Sequence, residues 1–381
     1  MRLRDRLDIL RGMALKHRWR VDNNPLVNIT TGNWWRLLRE NRFAVDPAYW
    51  HRAAFITVQS AFNYLEALME ERRWGAAVDA TKVEHPPLFI LGHWRSGTTH
   101  LHNLLACDPQ FAYPGVAEAF FPHSLLTMAD ARQRWWARRP TKTRVMDAVS
   151  LAPHLPQEDE WAMALTCLRS PYVAKHFPRR CHDYERYISF RGVPETELEE
   201  WKRSFMRFLK KLTLKHGRPL LLKSPAHTAR IRHLLALFPR ARFVFLHRDP
   251  LEVFQSFRHH FDTLMWFFYL QVPDVDLIDE AVLRVYSHVF DAFFEDRGLI
   301  PPGQYHEVGF TDLEQRPIDA LSQIYEKLGL DGFARARPRL EAYLATLAGY
   351  KKNRFPPLDA ARRERVTQAW RRTFEEWGYS M

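Results

Sequence analysis

The stretch that most constrains the fold runs from Pro86 to Cys107 and reads PPLFILGHWRSGTTHLHNLLAC. Leu88 to Leu91 is a short, wholly apolar run behind two prolines, the pattern of a strand buried on both faces. Gly92 ends it, and Gly97-Thr98-Thr99 opens a segment with Leu101, Leu104 and Leu105 at helical spacing, stopped by Asp108-Pro109. A strand, a tight turn and a helix N-terminus bring backbone N–H groups together and add the positive end of the helix dipole, so the unit reads as an anion cradle. The Gly92-to-Gly97 spacing fits the phosphate loop GxxxxGK[ST], but Thr98 stands where the lysine belongs, and Arg95 supplies positive charge from inside the loop. A guanidinium can grip phosphate through two parallel hydrogen bonds, yet nothing here promises Mg²⁺ and a γ-phosphate. A purely structural glycine turn would share the spacing, so the decision falls to the rest of the chain.

Pro219 to Lys223 predicts a second buried strand, Pro225 to Phe238 a helix, and Arg242 to Leu246 a third strand. Two apolar strands joined by a helix form a βαβ unit, so the strands should be parallel and the crossover right-handed. The expected fold is therefore α/β, a phosphate-loop-like parallel sheet flanked by helices, with ligands at the carboxyl ends of its strands. Lys223, Ser224, His247 and Arg248 all fall at those ends. Asp249-Pro250-Leu251-Glu252 combines an Asp N-cap, Pro at the first helical position and Glu at the third, so a helix starts there and carries Ser256 about two turns along. A strand-end arginine with a helix serine could hold a second phosphate apart from the first. Gln304 to Val308 predicts a fourth strand.

Residues 1–85 read as a helical N-terminal extension packed on the core, and 86–381 as the α/β domain. Within the extension, Pro47 starts a helix running on to Trp74-Gly75. It sets Trp50, Ala54, Val58, Ala61, Leu65 and Leu68 on one face, expected to cover the sheet. Basic residues and tryptophans also alternate there, which leaves contact with a membrane surface open. Residues 109–156 read as irregular, with the basic cluster Arg132 to Arg144 as a solvated face. Glu195 to His216 is the clearest helix: Leu198, Trp201, Phe205, Phe208 and Leu212 line one face, and Gly217 ends it. Met265 to Tyr269 is core or part of an apolar acceptor pocket, and Tyr350 to Arg354 is a basic loop, solvated or folded over a bound anion. His154-Leu155-Pro156-Gln157-Glu158-Asp159-Glu160 is either the acidic first turn of a helix or a carboxylate cluster with an adjacent histidine, the residue types of general-base chemistry.

The 56 Lys+Arg against 44 Asp+Glu give a net charge of +12, which favours an anionic ligand, a nucleic acid or an acidic membrane surface. Three scattered cysteines argue against a disulfide framework or structural zinc and for a reducing compartment. The opening residues mix acids and bases without an apolar core, so no export signal is expected, and no apolar run is long enough to span a bilayer. A cytoplasmic protein, at most peripheral to a membrane, follows.

Taken together, LFILGHWRSGTTHLHNLL, LLLKSPAHTARIRHLLALFP and FVFLHRDPLEVFQSF resemble, in order and spacing, the sulfotransferases that use 3′-phosphoadenosine 5′-phosphosulfate. The likeness is to the bacterial branch, whose members also carry the PQEDE stretch, and more distantly to the tyrosylprotein sulfotransferases. The resemblance implies that Arg95, Ser96, Gly97, Thr98 and Thr99 hold the 5′ phosphosulfate and that Arg248 and Ser256 bind the 3′-phosphate. It also implies that Lys223 helps stabilise the leaving phosphate, with no metal required. Direct sulfuryl transfer puts charge on the bridging and equatorial oxygens, so fixed cations and N–H donors are the main requirement, and the missing loop lysine is expected. For the general base, Glu158 ranks first and His154 second. His154-Leu155-Pro156 is similar to the cytosolic enzymes' histidine motif without its preceding Lys-Thr, and Glu118 is out of register with the tyrosylprotein enzymes' glutamate. The acceptor is a small molecule bearing a hydroxyl or amine, with an apolar alcohol or lipid suggested by nearby aromatics, and no nucleic-acid partner is expected. Two competing readings are a small-molecule kinase with a degenerate phosphate loop, and a basic RNA-binding or membrane-surface protein.

Overall fold

Four strands build the sheet: β1 (Leu88–Leu91), β2 (Leu221–Lys223), β3 (Arg242–His247) and β4 (Tyr305–Gly309), in the order β2-β1-β3-β4. The computed structural model describes residues 15–138, 142–147 and 149–381. The expectation of no export signal falls on residues 1–14, and part of the Arg132–Arg144 cluster on 139–141; both lie outside the described residues. Every pairing in the sheet is parallel, with Phe89 between Leu222 and Phe243 in register. Alternation along the strands feeds two cores. Phe89, Leu91, Phe243 and Phe245 face the larger one, while Ile90, Val244 and Leu246 pack with Leu101, Leu104 and Leu105 on the other side. Each such side chain contributes about 1.5–3 kcal/mol on burial, which fixes the position of the strand ends where the polar residues stand.

Helices cover both faces. The extension supplies α1 (Thr31–Glu40) and α2 (Trp50–Ala80), and α3 (Thr98–Leu105) leaves the loop after β1. Next, α4 (Glu195–His216) buries Leu198, Trp201, Phe205, Phe208 and Leu212 and ends at Gly217, in the left-handed region at φ +62°. Asp249 caps α5 (Pro250–Thr263) by accepting from the amides of Leu251 and Glu252 at 2.7 and 3.2 Å. Met265 to Tyr269 is buried core. Among the described residues no helix is long and apolar enough to cross a membrane.

Three expectations are corrected. Pro225–Phe238 is not one helix but a 3₁₀ turn, Pro225–Ala229, and a short α-helix, Ile231–Leu237. The region 109–156 holds helices Val116–Phe120 and Leu125–Ala137, and Arg132 pairs with Glu66 rather than standing in solvent. The largest correction concerns α2, whose apolar face is turned outward: Trp50, Val58 and Leu65 are 62, 59 and 55% exposed. Its buried face is polar because it satisfies loop backbone. Asn63 donates to Val27 O and Ile29 O, Arg52 to the carbonyls of His17, Arg18, Trp266 and Tyr269, and Glu70 accepts from Lys211 and two amides.

Candidate active site

The loop from β1 to α3 has two glycines that no other residue could replace without strain. At Gly92 (φ +142°) a Cβ would lie 2.6 Å from Leu246 O, and its N–H donates to Thr228 Oγ1 at 2.7 Å. At Gly97 (φ +96°) a Cβ would run into the Phe310 ring. No side chain caps α3; His100 and Leu101 N donate to Gly97 O, and the amides of Thr98 and Thr99 are left for a ligand. Arg95 itself sits at φ +73°, a conformation costing of order 1–3 kcal/mol outside glycine. Its carbonyl is thereby offered to Arg248 Nη1 at 3.2 Å.

The structure brings together residues from the two groups expected from sequence to bind phosphate. Arg95 Nε donates to Ser256 Oγ at 3.0 Å, and Arg95 Nη1 to Asp147 Oδ2 at 2.8 Å. Arg144 grips the same carboxylate through Nε and Nη2 at 2.9 and 2.6 Å. Burial alone would raise the pKa of Asp147, but Arg144 and Arg95 hold it below the usual carboxylate range. Arg248 rests 4.4 Å above the Phe310 ring and pairs with Glu252, so the glutamate that the sequence offered to the helix cap serves the arginine instead. The basic loop folds over this cluster: Tyr350 OH donates to Asp147 O at 3.0 Å and Asn353 to Met146 O at 2.7 Å. A donor set that clasps a carboxylate with two guanidiniums beside a hydroxyl suits a phosphate equally.

At the end of β2, Lys223 Nζ lies 2.6 Å from Glu158 Oε1 and 3.4 Å from Thr99 Oγ1, linking the carboxylate cluster to the loop. Tyr172 OH donates to the other oxygen of Glu158 and accepts from Trp94 Nε1 at 3.0 Å. Lys175 stands 3.5 Å over the Tyr172 ring, with burial lowering its pKa to about 8. For Glu158 burial acts upward, but Lys223, Lys175 and the Tyr172 hydroxyl outweigh it and bring the pKa down to about 2. Burial lowers the pKa of Lys223 against the pull of Glu158.

The neighbouring carboxylates are structural. Asp159 Oδ1 lies 2.8 Å from His227 Nε2, and Glu160 meets Arg230 at 2.7 and 3.1 Å and Ser224 Oγ at 3.2 Å, all buried. Three successive acids thus face Lys223, His227 and Arg230 in turn, and of the three it is Glu158 that bonds a side chain lining the adjoining cleft, Lys223. That cleft is lined by Thr99, Asn103, Arg144, Leu155, Gln157 and Lys223. His154 is exposed on the loop leading into it. Glu118 accepts from Gly115 N at 2.8 Å and pairs with His216 and Lys215, an assignment to the start of helix Val116–Phe120. Tyr172, Lys175 and Asp147 carried no recognisable signal in the sequence; Arg144 did, as the end of a basic cluster read as solvated, but it pairs with Asp147 instead, and the Tyr350–Arg354 loop was legible.

A model of the sulfotransferase family matches residues 86–335. The chain is 36% identical over 375 residues to omega-hydroxy-beta-dihydromenaquinone-9 sulfotransferase Stf3 of Mycobacterium bovis and of Mycobacterium tuberculosis, covering 97% of this chain and 95% of each relative. Among solved structures, sulfotransferase STF9 from Mycobacterium avium superposes with a TM-score of 0.68 at 16% identity, over 91% of this chain and 96% of that one. Sulfotransferase STF1 from Mycobacterium tuberculosis H37Rv gives 0.61 at 18% identity, over 89% and 92%. These two share the fold. The kinase and nucleic-acid readings thereby fall away: the chain belongs to the sulfotransferase family, enzymes that move a sulfuryl group from 3′-phosphoadenosine 5′-phosphosulfate to an acceptor.

Proposed function

We propose that this sulfotransferase modifies a hydroxyl carried on an apolar, lipid-like acceptor, with Glu158 as general base and Lys223 as the cation at the leaving phosphate. The observation that carries the reading is the 2.6 Å Lys223–Glu158 contact beside Thr99. In this reading Arg95, Ser96, Gly97, Thr98 and Thr99 hold the 5′ end of the donor, and Arg248 with Ser256 the 3′-phosphate. The donor supplies the sulfuryl group and the phosphate that leaves. Lys223 has two partners to choose between: paired with Glu158 it keeps that carboxylate a weak base, and drawn toward an anion beside Thr99 it releases it. Glu158 then takes the acceptor's proton as the new oxygen–sulfur bond forms and the bridging oxygen–sulfur bond breaks, while Lys223 donates to the departing oxygen. His154 is the second candidate for the base. The curated relatives act, by name, on a menaquinone derivative, which supports an apolar alcohol as acceptor. The same reading takes the enzyme as cytoplasmic and peripheral to a membrane, with 1–85 as extension and 86–381 as the transfer domain.

The test begins with thermal melting in 3′,5′-bisphosphoadenosine, AMP and ATP–Mg²⁺. Ligand at a hundred times its Kd stabilises by about 2.7 kcal/mol. A shift with the bisphosphate alone is expected; a shift with ATP–Mg²⁺ alone would sink the reading. Sulfation of long-chain over short-chain alcohols, abolished by Glu158→Gln but not by His154→Gln, tests the acceptor and the base.

A further inference from the structure

A surface helix ordinarily turns its apolar stripe inward. In α2 the order is reversed: Trp50, Val58, Phe62, Leu65 and Met69 are each more than half exposed, while Arg52, Ser60, Asn63 and Glu70 are buried. The five exposed residues recur at helical spacing, so they share one face, a strip about 28 Å long at 1.5 Å per residue. At its N-terminal end the strip widens. Trp50 Nε1 donates to Val45 O at 3.1 Å, the Trp19 ring lies 4.9 Å from His51, and Trp35 and Phe43 face each other at 6.2 Å. Trp19, Phe43 and Trp35 are 71, 56 and 47% exposed. Contiguous apolar surface of this extent marks an interaction site.

Charge selects the occupant. Exposed Arg39 and Arg42 at one end, and Arg72 and Arg73 at the other, have no ion-pair partner among the described residues. The acids near the strip are already taken, Glu66 by Arg132 and Glu71 by Arg207. On a chain of net charge +12, two copies meeting face to face would crowd these guanidiniums, whereas an anionic surface neutralises them. Tryptophans at the rim suit the boundary between headgroup and hydrocarbon.

We propose that the outward face of α2 docks the enzyme flat onto an anionic lipid bilayer, the apolar strip at the acyl boundary and the end arginines among the headgroups. The inference rests on the reading of a lipid-like acceptor: an alcohol dissolved in the bilayer reaches a docked enzyme without crossing water.

The test is co-sedimentation of the full chain with vesicles of phosphatidylcholine alone and of phosphatidylcholine containing phosphatidylglycerol. Wild type should bind the anionic vesicles, and binding should weaken as salt rises. Phe62→Glu/Leu65→Glu, outside the catalytic machinery and on exposed positions, should lower the partition coefficient at least tenfold while keeping the melting shift with bisphosphoadenosine. If that variant misfolds, Arg72→Glu/Arg73→Glu provides the same comparison. Binding that neither pair of changes weakens, or no binding by wild type, overturns the proposal. A wild-type dimer that Phe62→Glu/Leu65→Glu splits would overturn it in favour of a second copy. Failure of the lipid-acceptor reading would show instead as equal sulfation of short-chain and long-chain alcohols by wild type, whatever the vesicles do.

Discussion

Replacing Lys223 by methionine keeps the stem and removes the charge, and its cost can be worked from the pair. The two side chains are 3 and 15% exposed at 2.6 Å. Glu158 is brought from an ordinary 4.5 to about 2. At about 1.4 kcal/mol per pH unit, the ionised carboxylate in its folded setting contributes roughly 3 kcal/mol. Because its folded pKa is depressed, this contribution is fully present above about pH 4.5 and is lost as pH falls through about 2. Lys223→Met leaves a carboxylate buried beside Tyr172 without its main cation, a loss of about 3–5 kcal/mol at pH 7. The loss should shrink at pH 4, where burial lets Glu158 take up a proton. Adding Glu158→Gln should recover most of the stability at pH 7, since no lone charge remains, but not turnover. Urea unfolding of wild type, single and double variants at both pH values measures this, with bisphosphoadenosine affinity and initial rates alongside. A single variant weakened by less than about 1 kcal/mol at pH 7, or a double variant no more stable than the single, would refute the buried pair. A rate unchanged in Lys223→Met would remove that residue from the chemistry.

Arg248→Ala should weaken bisphosphoadenosine binding by about 2–4 kcal/mol in calorimetry, since a charge-assisted contact is lost and Glu252 is left alone; normal affinity would move the 3′-phosphate site elsewhere. Asp147→Asn frees Arg95 and Arg144 from a competing carboxylate, so the same ligand should bind more tightly, by about tenfold or 1.4 kcal/mol; weaker binding would make Asp147 a partner of the donor. Glu160→Gln strands the fully buried Arg230 and should cost about 3 kcal/mol or more in urea unfolding, with turnover per folded molecule retained. Gly97→Ala forces a Cβ against Phe310 at positive φ and should destabilise by more than about 1 kcal/mol, part of it relieved by adding Phe310→Ala.

The sheet was legible because a doubly buried parallel strand is written in consecutive apolar residues, as in Leu88–Leu91 and Phe243–Leu246. Asp249-Pro250 was legible because capping is local chemistry. What escaped was settled over long separations. An apolar stripe states that a helix has two unlike faces, not which one is wet; the carbonyls of Trp266 and Tyr269 decided that for α2 by demanding Arg52. The roles of Glu158, Asp159 and Glu160 depended on Lys223, His227 and Arg230, 65 to 70 positions away. Asp147 lies on a short hairpin loop with no motif of its own, yet it engages the arginine most visible in the phosphate loop.

The polar underside of α2 has a consequence for the order in which the molecule is made. Arg52 reaches Trp266 O from 214 positions upstream, Asn24 donates to Phe268 O, and Asp46 N donates to Leu270 O. A ribosome adding roughly 5–20 residues per second needs about ten to forty seconds to cover that interval. Throughout it the nascent extension lacks the carbonyls of Trp266 and Tyr269 below and any cover on the tryptophan-rich side above. The first helices synthesised are therefore among the last to be completed, and a chain cut before residue 266 has no route to burying Arg52.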